Sequence, residues 1–529
     1  LANGLVTKTE TDYDNALAYH GPLDGITWNV YYCDPDGVCE YTDQQTEPVT
    51  NYTGSYGKVI ATREYDWGQG APGPLLRQTF TNYLWQSNSN YLNYNFLDLV
   101  SSSTIQDGSG NQVAQTTYGY DEYSLNSAGV STQFNSNPVN GSIRGNQTSV
   151  HHWLNGSSSS TSNCAVSVSN GFAVSYALYN NTGTIYKSTD ACGASAGDPN
   201  HTVTHTYSSS YAGAYPTQTC NALNQCVSGA YDFNTGLLTS FTDANSQTTT
   251  YSYDNRWRIS QALFPVIDAS GVHPETDLVY PNATTVERCK KQNSNSSSSA
   301  CSTGWIVDYA YFDGLGRTKQ TRLVDPEGDD FVDTTYDADG RISTVSNPHR
   351  STSSATDGIT TTQYDALSRV IQVTKQDGSI SSVQYDLAAG TANCTLSTDE
   401  AGKQRKTCSD GLGRLTRVFE DPAGLNYETD YQYDTLNNLL RVDQKGSAPG
   451  DSTQWRTRTF TYDSLSRLLT TNNPESGQIS YAYDVNGNVL SKTDARGTSF
   501  SYRGVARCRN PYPGIGDYQR TRCLDAQSI

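Results

Sequence analysis

The chain has 529 residues, enough for one very large core or several ordinary ones. Its formal net charge is −18 and only 17% of residues are charged, so nothing in its balance would neutralise phosphates and nucleic-acid binding is disfavoured. No stretch approaches eighteen consecutive apolar residues, the length a membrane-spanning helix needs. Tyrosine dominates the aromatics, with 38 Tyr against 12 Phe and 7 Trp. A flat apolar body with a polar tip suits a half-wet β-sheet. The sequence starts at Leu1, lacks Met throughout and shows no charged-then-apolar leader, which reads as a mature secreted product with its signal removed.

Residues 1–230 are rich in Ser, Thr, Asn, Tyr and Gly and repeat weakly. Tyr13-Asp14, Tyr65-Asp66 and Tyr118-Gly119-Tyr120-Asp121 echo a motif that becomes clear later. Alternating runs predict strands over 27–32 and 172–179, and 157–160 and 191–197 read as loops. Residues 83–100 hold apolar side chains interrupted by Asn and Ser; with no helical period, they too are expected as strand.

From Tyr231 to about residue 505 the repeats are clear. Turns of one kind begin at Asp254, Asp313, Asp337, Asp365, Asp410, Asp434, Asp463 and Asp484, most of them closing on Arg four residues later. Asp at the start of a turn accepts from backbone N–H groups two or three residues on. Gly, Asn or Ser three residues later tolerates the left-handed conformation that closes it. Turns of a second kind alternate with these, as in Asp325-Pro-Glu-Gly328, Asp377-Gly378, Asp421-Pro-Ala-Gly424 and Asn473 to Gly477. Two alternating turn types predict an antiparallel meander, with a period of roughly 21 to 29 residues, the range of stacked units. The stretch from Tyr462 to Asp484 is the clearest unit: a polar turn, a strand over 468–471, a turn over 472–477 and a strand over 479–483. Aromatics at i and i+2, as in Tyr251-Ser-Tyr253 and Tyr481-Ala-Tyr483, share a face and predict aromatic ladders. Insertions near 265–308 and 386–408 interrupt the array, and a Cys-closed tail occupies 506–529.

The twelve cysteines fall into successive pairs: Cys33/Cys39, Cys164/Cys192, Cys220/Cys226, Cys289/Cys301, Cys394/Cys408 and Cys508/Cys523. No C-x₂-C occurs and no pair has a His at zinc spacing, so the expectation is local disulfides and an oxidising compartment.

These turns carry a family resemblance. Phe312 to Arg317 (FDGLGR) and Tyr336 to Arg341 (YDADGR), repeated over 231–502, resemble the YD repeat of the Rhs (rearrangement hotspot) proteins. The same repeat occurs in the cocoon-forming subunits of insecticidal toxin complexes and in the teneurins. The resemblance implies an all-β chain of antiparallel hairpins forming a spiralling sheet, shell or barrel. Toxin-carrying relatives place two D-P-x-G motifs close together for self-cleavage. Here Asp325 and Asp421 stand far apart, at ordinary repeat turns.

No arrangement in the sequence reads as an active site, a cofactor site or a metal site. The turn carboxylates recur too regularly to be anything but caps. His201 and His205, on one face of a strand, lie too far apart to share an ion, and His151-His152 point to opposite faces. There is no H-E-x-x-H, G-x-S-x-G or phosphate-binding Gly loop. Asn-x-Ser/Thr sequons stand at Asn51, Asn140, Asn146, Asn155, Asn180, Asn200, Asn282, Asn295 and Asn393 as glycosylation candidates. The expected function is an extracellular structural protein. In it, copies would join through sheet edges or terminal strands, with residues 1–20 as donor strand, into a filament or surface layer. Two alternatives stand beside this: a fragment of an Rhs-type toxin-encapsulating shell, and an adhesin that binds glycans or cells.

Overall fold

The computed structural model describes residues 5–14, 28–33, 39–45, 56–130, 143–155, 171–193, 195–266, 273–291, 301, 304–350, 358–389 and 392–502. They form one long antiparallel strip of 33 strands, from Thr9–Tyr13 to Ser499–Ser501. Each strand pairs with its neighbour in strip order, so contacts are local in sequence. Two small pairs stand apart: Leu5–Val6 with Gly68–Gln69, and Trp28–Cys33 with Cys39–Gln45. The first strand pairs only with Val59–Tyr65 and the last only with Val489–Thr493 among the described residues. Among the described residues the strip therefore has two edges and is not a closed barrel, one of the forms the resemblance implied. It crosses residue 231 without a break, through the pairing of Cys226–Tyr231 with Leu238–Thr242.

One rim of the strip differs from the other. Most odd-numbered strands end in Tyr, as at Tyr13, Tyr83, Tyr253, Tyr336 and Tyr483. At these residues the register slips by a bulge, for example between Asp12 and Tyr13, Ser252 and Tyr253, and Ala482 and Tyr483. Most hairpins at the opposite rim keep continuous register, as between Gln218–Cys220 and Cys226–Ser228, and Thr470–Asn473 and Gly477–Ser480. A bulge bends its strand and increases the local right-handed twist. Repeated on a single rim, it bends the strip the same way at every hairpin and coils it.

The coil closes on itself at a seam. Counting along the strip, the turn after the second strand (Val59–Tyr65) meets the turn after the twenty-fifth (Gln404–Ser409), where the Gly411 N–H donates to Asp66 Oδ1 at 2.7 Å. The turn after the sixth strand (Gln147–Trp153) meets the turn after the twenty-ninth (Arg456–Tyr462). There Ser464 Oγ donates to the Trp153 carbonyl at 2.7 Å and accepts from the Asn155 N–H at 3.0 Å. The turn after the eighth strand (Ile185–Thr189) meets the turn after the thirty-first (Gly477–Tyr483) through a cluster of Cys192, Ala191, Leu154, Ala173, Val485 and Leu465. The offset is 23 strands each time. At about 4.8 Å per strand, one lap is roughly 110 Å around and roughly 35 Å across. Because 23 is odd, opposite rims meet: the tyrosine rim of the second lap sits on the other rim of the first.

No second sheet backs the first among the described residues. Strand side chains are mostly half-buried on both faces, and the fully buried ones are few: Leu5, Cys289, Cys394 and Cys408. Each of the three apolar clusters among the described residues holds a disulfide-bonded cysteine: Cys192, the Cys289–Cys301 bridge and the Cys394–Cys408 bridge. The insertions at 265–308 and 386–408 are accommodated as extra strands of the same strip, Glu275–Asn282 with Thr285–Lys291 and Ala392–Thr398 with Gln404–Ser409.

The strand expected over 83–100 is corrected. Two short helices, Leu84–Ser87 and Ser89–Asn93, follow Tyr83. The Gln86 side chain accepts from the Tyr83 N–H, and Asn88 Oδ1 caps the second helix by accepting from the Asn90 N–H. The Asn and Ser residues that break the apolar pattern act here as caps. In the clearest repeat unit the strands are longer than predicted, Leu468–Asn473 and Gly477–Tyr483, because Asn472 and Asn473 continue the ladder.

The seam predicts a contrast between two residues at the same motif position. A Cβ on Gly411 would collide with the Tyr65 carbonyl and come within 2.8 Å of the Asp66 Cα, whereas Gly314 has open space. Gly411→Val is expected to lower the thermal midpoint by several degrees and Gly314→Val to leave it unchanged, as read by differential scanning calorimetry.

Candidate functional site

The recurrent chemistry of this chain lies in the Tyr-Asp turns of the tyrosine rim. In the turn at Asp463, Oδ1 accepts from the N–H groups of Leu465 (3.0 Å) and Arg467 (2.9 Å), and Oδ2 accepts from Arg467 Nε at 2.6 Å. Ser466, the fourth residue, has φ of 60°, the left-handed position expected from the sequence. The turns at Asp313, Asp337, Asp365 and Asp410 repeat the same three bonds. At Asp254 the left-handed residue is Trp257, at φ 64°. At Asp434 and Asp484, Asn438 and Asn488 replace Arg and donate to the same Oδ2.

Sequence reasoning assigned Asp its role and missed the parts played by Arg and Tyr. Each Arg guanidinium lies over the ring of the next repeat's Tyr. Examples are Arg258 over Tyr280 (3.7 Å), Arg317 over Tyr336 (4.3 Å) and Arg467 over Tyr483 (5.3 Å). Arg467 Nη1 also donates to the Asp484 carbonyl at 2.6 Å, and Arg414 Nη1 to the Asp434 carbonyl at 2.7 Å. The Tyr hydroxyl reaches back to the carbonyl just after the previous turn: Tyr483 to Leu468 (2.8 Å), Tyr336 to Thr318 (2.7 Å), Tyr253 to Leu238 (2.7 Å). Tyr83, Tyr120, Tyr179 and Tyr207 make the same bond in the weakly repeating first part of the chain. Successive turns are thus tied in both directions, by a cation–π contact worth about 0.5–1 kcal/mol and a hydroxyl bond of similar size. The signal was present in the sequence, since Tyr and Arg recur at fixed positions, but their partners lie one repeat away.

Burial separates the turns into two sets. In the seam, the side chain of Asp463 is 1% exposed and that of Arg467 14%; in the open turn, Asp313 is 22% and Arg317 31% exposed. Removing one member of a buried pair strands the other charge, whereas an exposed pair contributes little. Arg467→Ala is expected to cost about 3 kcal/mol of stability and Arg317→Ala less than about 1 kcal/mol, measured by denaturant unfolding.

The open turns also set a pH dependence. The Arg317 N–H and guanidinium hold Asp313 below its ordinary value of 3.8, and the Arg369 N–H does the same, with its guanidinium, for Asp365. A depressed carboxylate stabilises the fold above the unfolded pKa and loses that contribution as pH falls through the folded one. The thermal midpoint of the Asp313→Asn, Asp365→Asn double variant is therefore expected to fall less than that of the parent chain between pH 4 and pH 2, followed by circular dichroism.

Three predicted cysteine pairs are bridged: Cys220–Cys226, Cys289–Cys301 and Cys394–Cys408. Cys220 faces Cys226, and Cys394 faces Cys408, directly across a hairpin. Cys192 is also disulfide-bonded, and its partner lies outside the described residues. Cys33 opposes Cys39 in backbone register. Cys164, Cys508 and Cys523 lie outside the described residues, as do Asn51, Asn140 and Asn295. Of the other sequons, Asn155, Asn200 and Asn282 are exposed. Asn180 is buried, with Oδ1 accepting from Asn126 and Nδ2 donating to Thr184, so a glycan there would have to break both bonds. Asn146 Nδ2 and Asn393 Oδ1 are likewise enclosed.

Two groups of acidic, Cys and His side chains come together, Asp190 with Cys192 and His201, and Glu287 with Cys289 and Cys301. In both, the sulfur is committed to a disulfide and is no thiolate ligand. His205 bonds Thr219 at 3.0 Å, and burial lowers its pKa. Asp325 lies beside Arg350, and Asp421 closes its own turn by accepting from the Leu425 N–H. Shallow cavities of about 390 and 430 Å³ open between Tyr123, Tyr176 and Tyr186, and between Tyr179, His205 and Tyr207. No helix among the described residues is long and apolar enough to cross a membrane.

A single-layered strip of YD hairpins, coiled and seamed on itself, defines a class of fold, and the comparisons agree with it. The RHS Repeat family matches residues 462–499. No curated protein matches the chain. Among solved structures, the TcdB2-TccC3 crystal structure is similar at a TM-score of 0.57 and 13% identity, over 84% of this chain and 30% of that one. The Photorhabdus luminescens Tc holotoxin pore gives 0.56 and 12%, over 84% and 31%. The TcdB2-TccC3-TEV structure gives 0.56 and 12%, over 84% and 32%. The chain thus spans about a third of the length of those chains. Residues 462–499 match the RHS repeat, and the chain shares its fold with part of the TcdB2-TccC3 structures.

Proposed function

We propose that the chain is a wall segment of an Rhs-type shell, secreted into an oxidising environment, whose role is to enclose and not to catalyse. The observation that carries this reading is the seam. A strip that coils at 23 strands per lap and bonds its second lap to its first builds a curved, single-layered wall around a space. Strands of a wall need no second layer, and the half-buried side chains on both faces fit that role. Disulfides across neighbouring strands would stiffen the wall, and their presence supports an extracellular setting.

The expected joining of copies by strand complementation finds less support. Among the described residues all pairings between strands are antiparallel and the strip has 33 strands, so its two edge strands run in the same direction. A further copy in the same orientation would have to add by a parallel pair. An antiparallel joint that keeps the same face inward would pair like edges and stop at a dimer. Cryo-electron microscopy of the secreted chain tests the reading. A coiled wall with a lumen and a cross-section near the size inferred from the lap is the expected result. Unbranched filaments with one subunit per repeat, joined at Thr9–Tyr13, would overturn it.

A further inference from the structure

The rims that meet in the seam are only partly used. The second lap holds the strands after the twenty-third, so it covers the first ten strands of the lap beneath. Among the described residues this leaves two stretches without seam contacts: the tyrosine rim of the first 23 strands and the opposite rim of the last 23. Each is one full lap. The uncovered tyrosine rim carries the same kinds of turn as the covered one. Leu315 and Leu367 hold the motif position that Leu465 fills in the seam cluster, and they are 79% and 68% exposed. Trp257, in the turn at Asp254, is 69% exposed. On the opposite rim, where Leu154 is buried in the seam, Leu223 and Leu425 stand exposed. Each of these is a large apolar side chain left open at the tip of a turn, whereas the seam covers Leu465 and buries Leu154 at the matching places.

We propose that the uncovered tyrosine rim is a docking surface for the opposite rim of a second copy of this chain. The seam already shows this pairing within one molecule: a turn of the Asp463 kind presses its second and third residues against a turn of the other rim. A second copy offers that same rim, free over one lap. A lap roughly 110 Å long and about one turn wide buries on the order of 1,000 Å² per copy, within the range of stable interfaces. Because each copy carries both rims, the contact is heterologous and adds copies along the coil axis. The inference deepens the shell reading by naming what completes the wall, and it rests on that reading only for the coil.

Sedimentation velocity on the full chain between about 1 and 100 µM provides the test. Dimers and longer stacks growing with concentration are expected. Leu315→Asp with Leu367→Asp should weaken association at least tenfold, and so should Leu425→Asp on the other rim. Mixing the two variants should restore a dimer and nothing larger, since each still has one sound rim. Unchanged thermal midpoints establish that the variants fold. A monomer across the whole range overturns the proposal, and so does association that ignores these substitutions but is lost when proline is placed in Ser499–Ser501. A monomer that still shows a coiled wall by microscopy would remove the rim contact and leave the shell reading standing.

Discussion

The structure depends on a bulge held at the end of every second strand. Tyr ends the strand, Asp folds the turn, and Arg reaches forward over the next Tyr while that Tyr bonds backward. A sheet without a packed second layer lacks the usual source of stability, the burial of one whole face. Ladder hydrogen bonds contribute modestly each, because water competes for the same groups. The latch supplies what is missing: it fixes register, satisfies the turn carboxylate and buries aromatic faces under guanidinium groups. It also sets shape, since bulges confined to one rim bend the strip in a constant sense.

Coiling brings turns that are far apart in sequence into contact. The same five-residue turn serves two purposes, depending on where the lap brings it. At Asp410, Asp463 and Asp484 the turn is buried and holds two laps together; at Asp313 and Asp365 it is half-open and ties neighbouring strands only. Small residues accommodate the close contact: Gly411 lets its N–H reach Asp66, and Ser464 bonds both the Trp153 carbonyl and the Asn155 N–H. Disulfides act on a shorter scale. Cys220–Cys226 and Cys394–Cys408 staple adjacent strands, and Cys289 and Cys394 form the centres of small apolar clusters where a sheet alone would have none.

Much of this was legible in the sequence because its causes are local. The Tyr-Asp spacing, the two alternating turn types and the left-handed fourth residue gave the antiparallel meander. Sequential Cys pairs gave the bridges that join adjacent strands. The resemblance carried by FDGLGR and YDADGR pointed to a shell. The misses have equally physical reasons. The helices at 84–93 depend on caps from Gln86 and Asn88, whose Asn and Ser surroundings read as interruptions of an apolar pattern. Asn180 has an ordinary sequon and is closed off by Asn126, a residue 54 positions away.

The sequence by itself determined the hairpin, its turn chemistry and the order of strands, because each of these is settled within one or two repeats. Only the tertiary structure decided that the strip coils at 23 strands per lap, which turns are covered, and that the two edge strands run the same way. Curvature is a sum of small bends over many hairpins, and the seam joins residues more than 300 positions apart, such as Trp153 with Ser464. No local pattern of residues encodes where such a sum brings the chain back to itself.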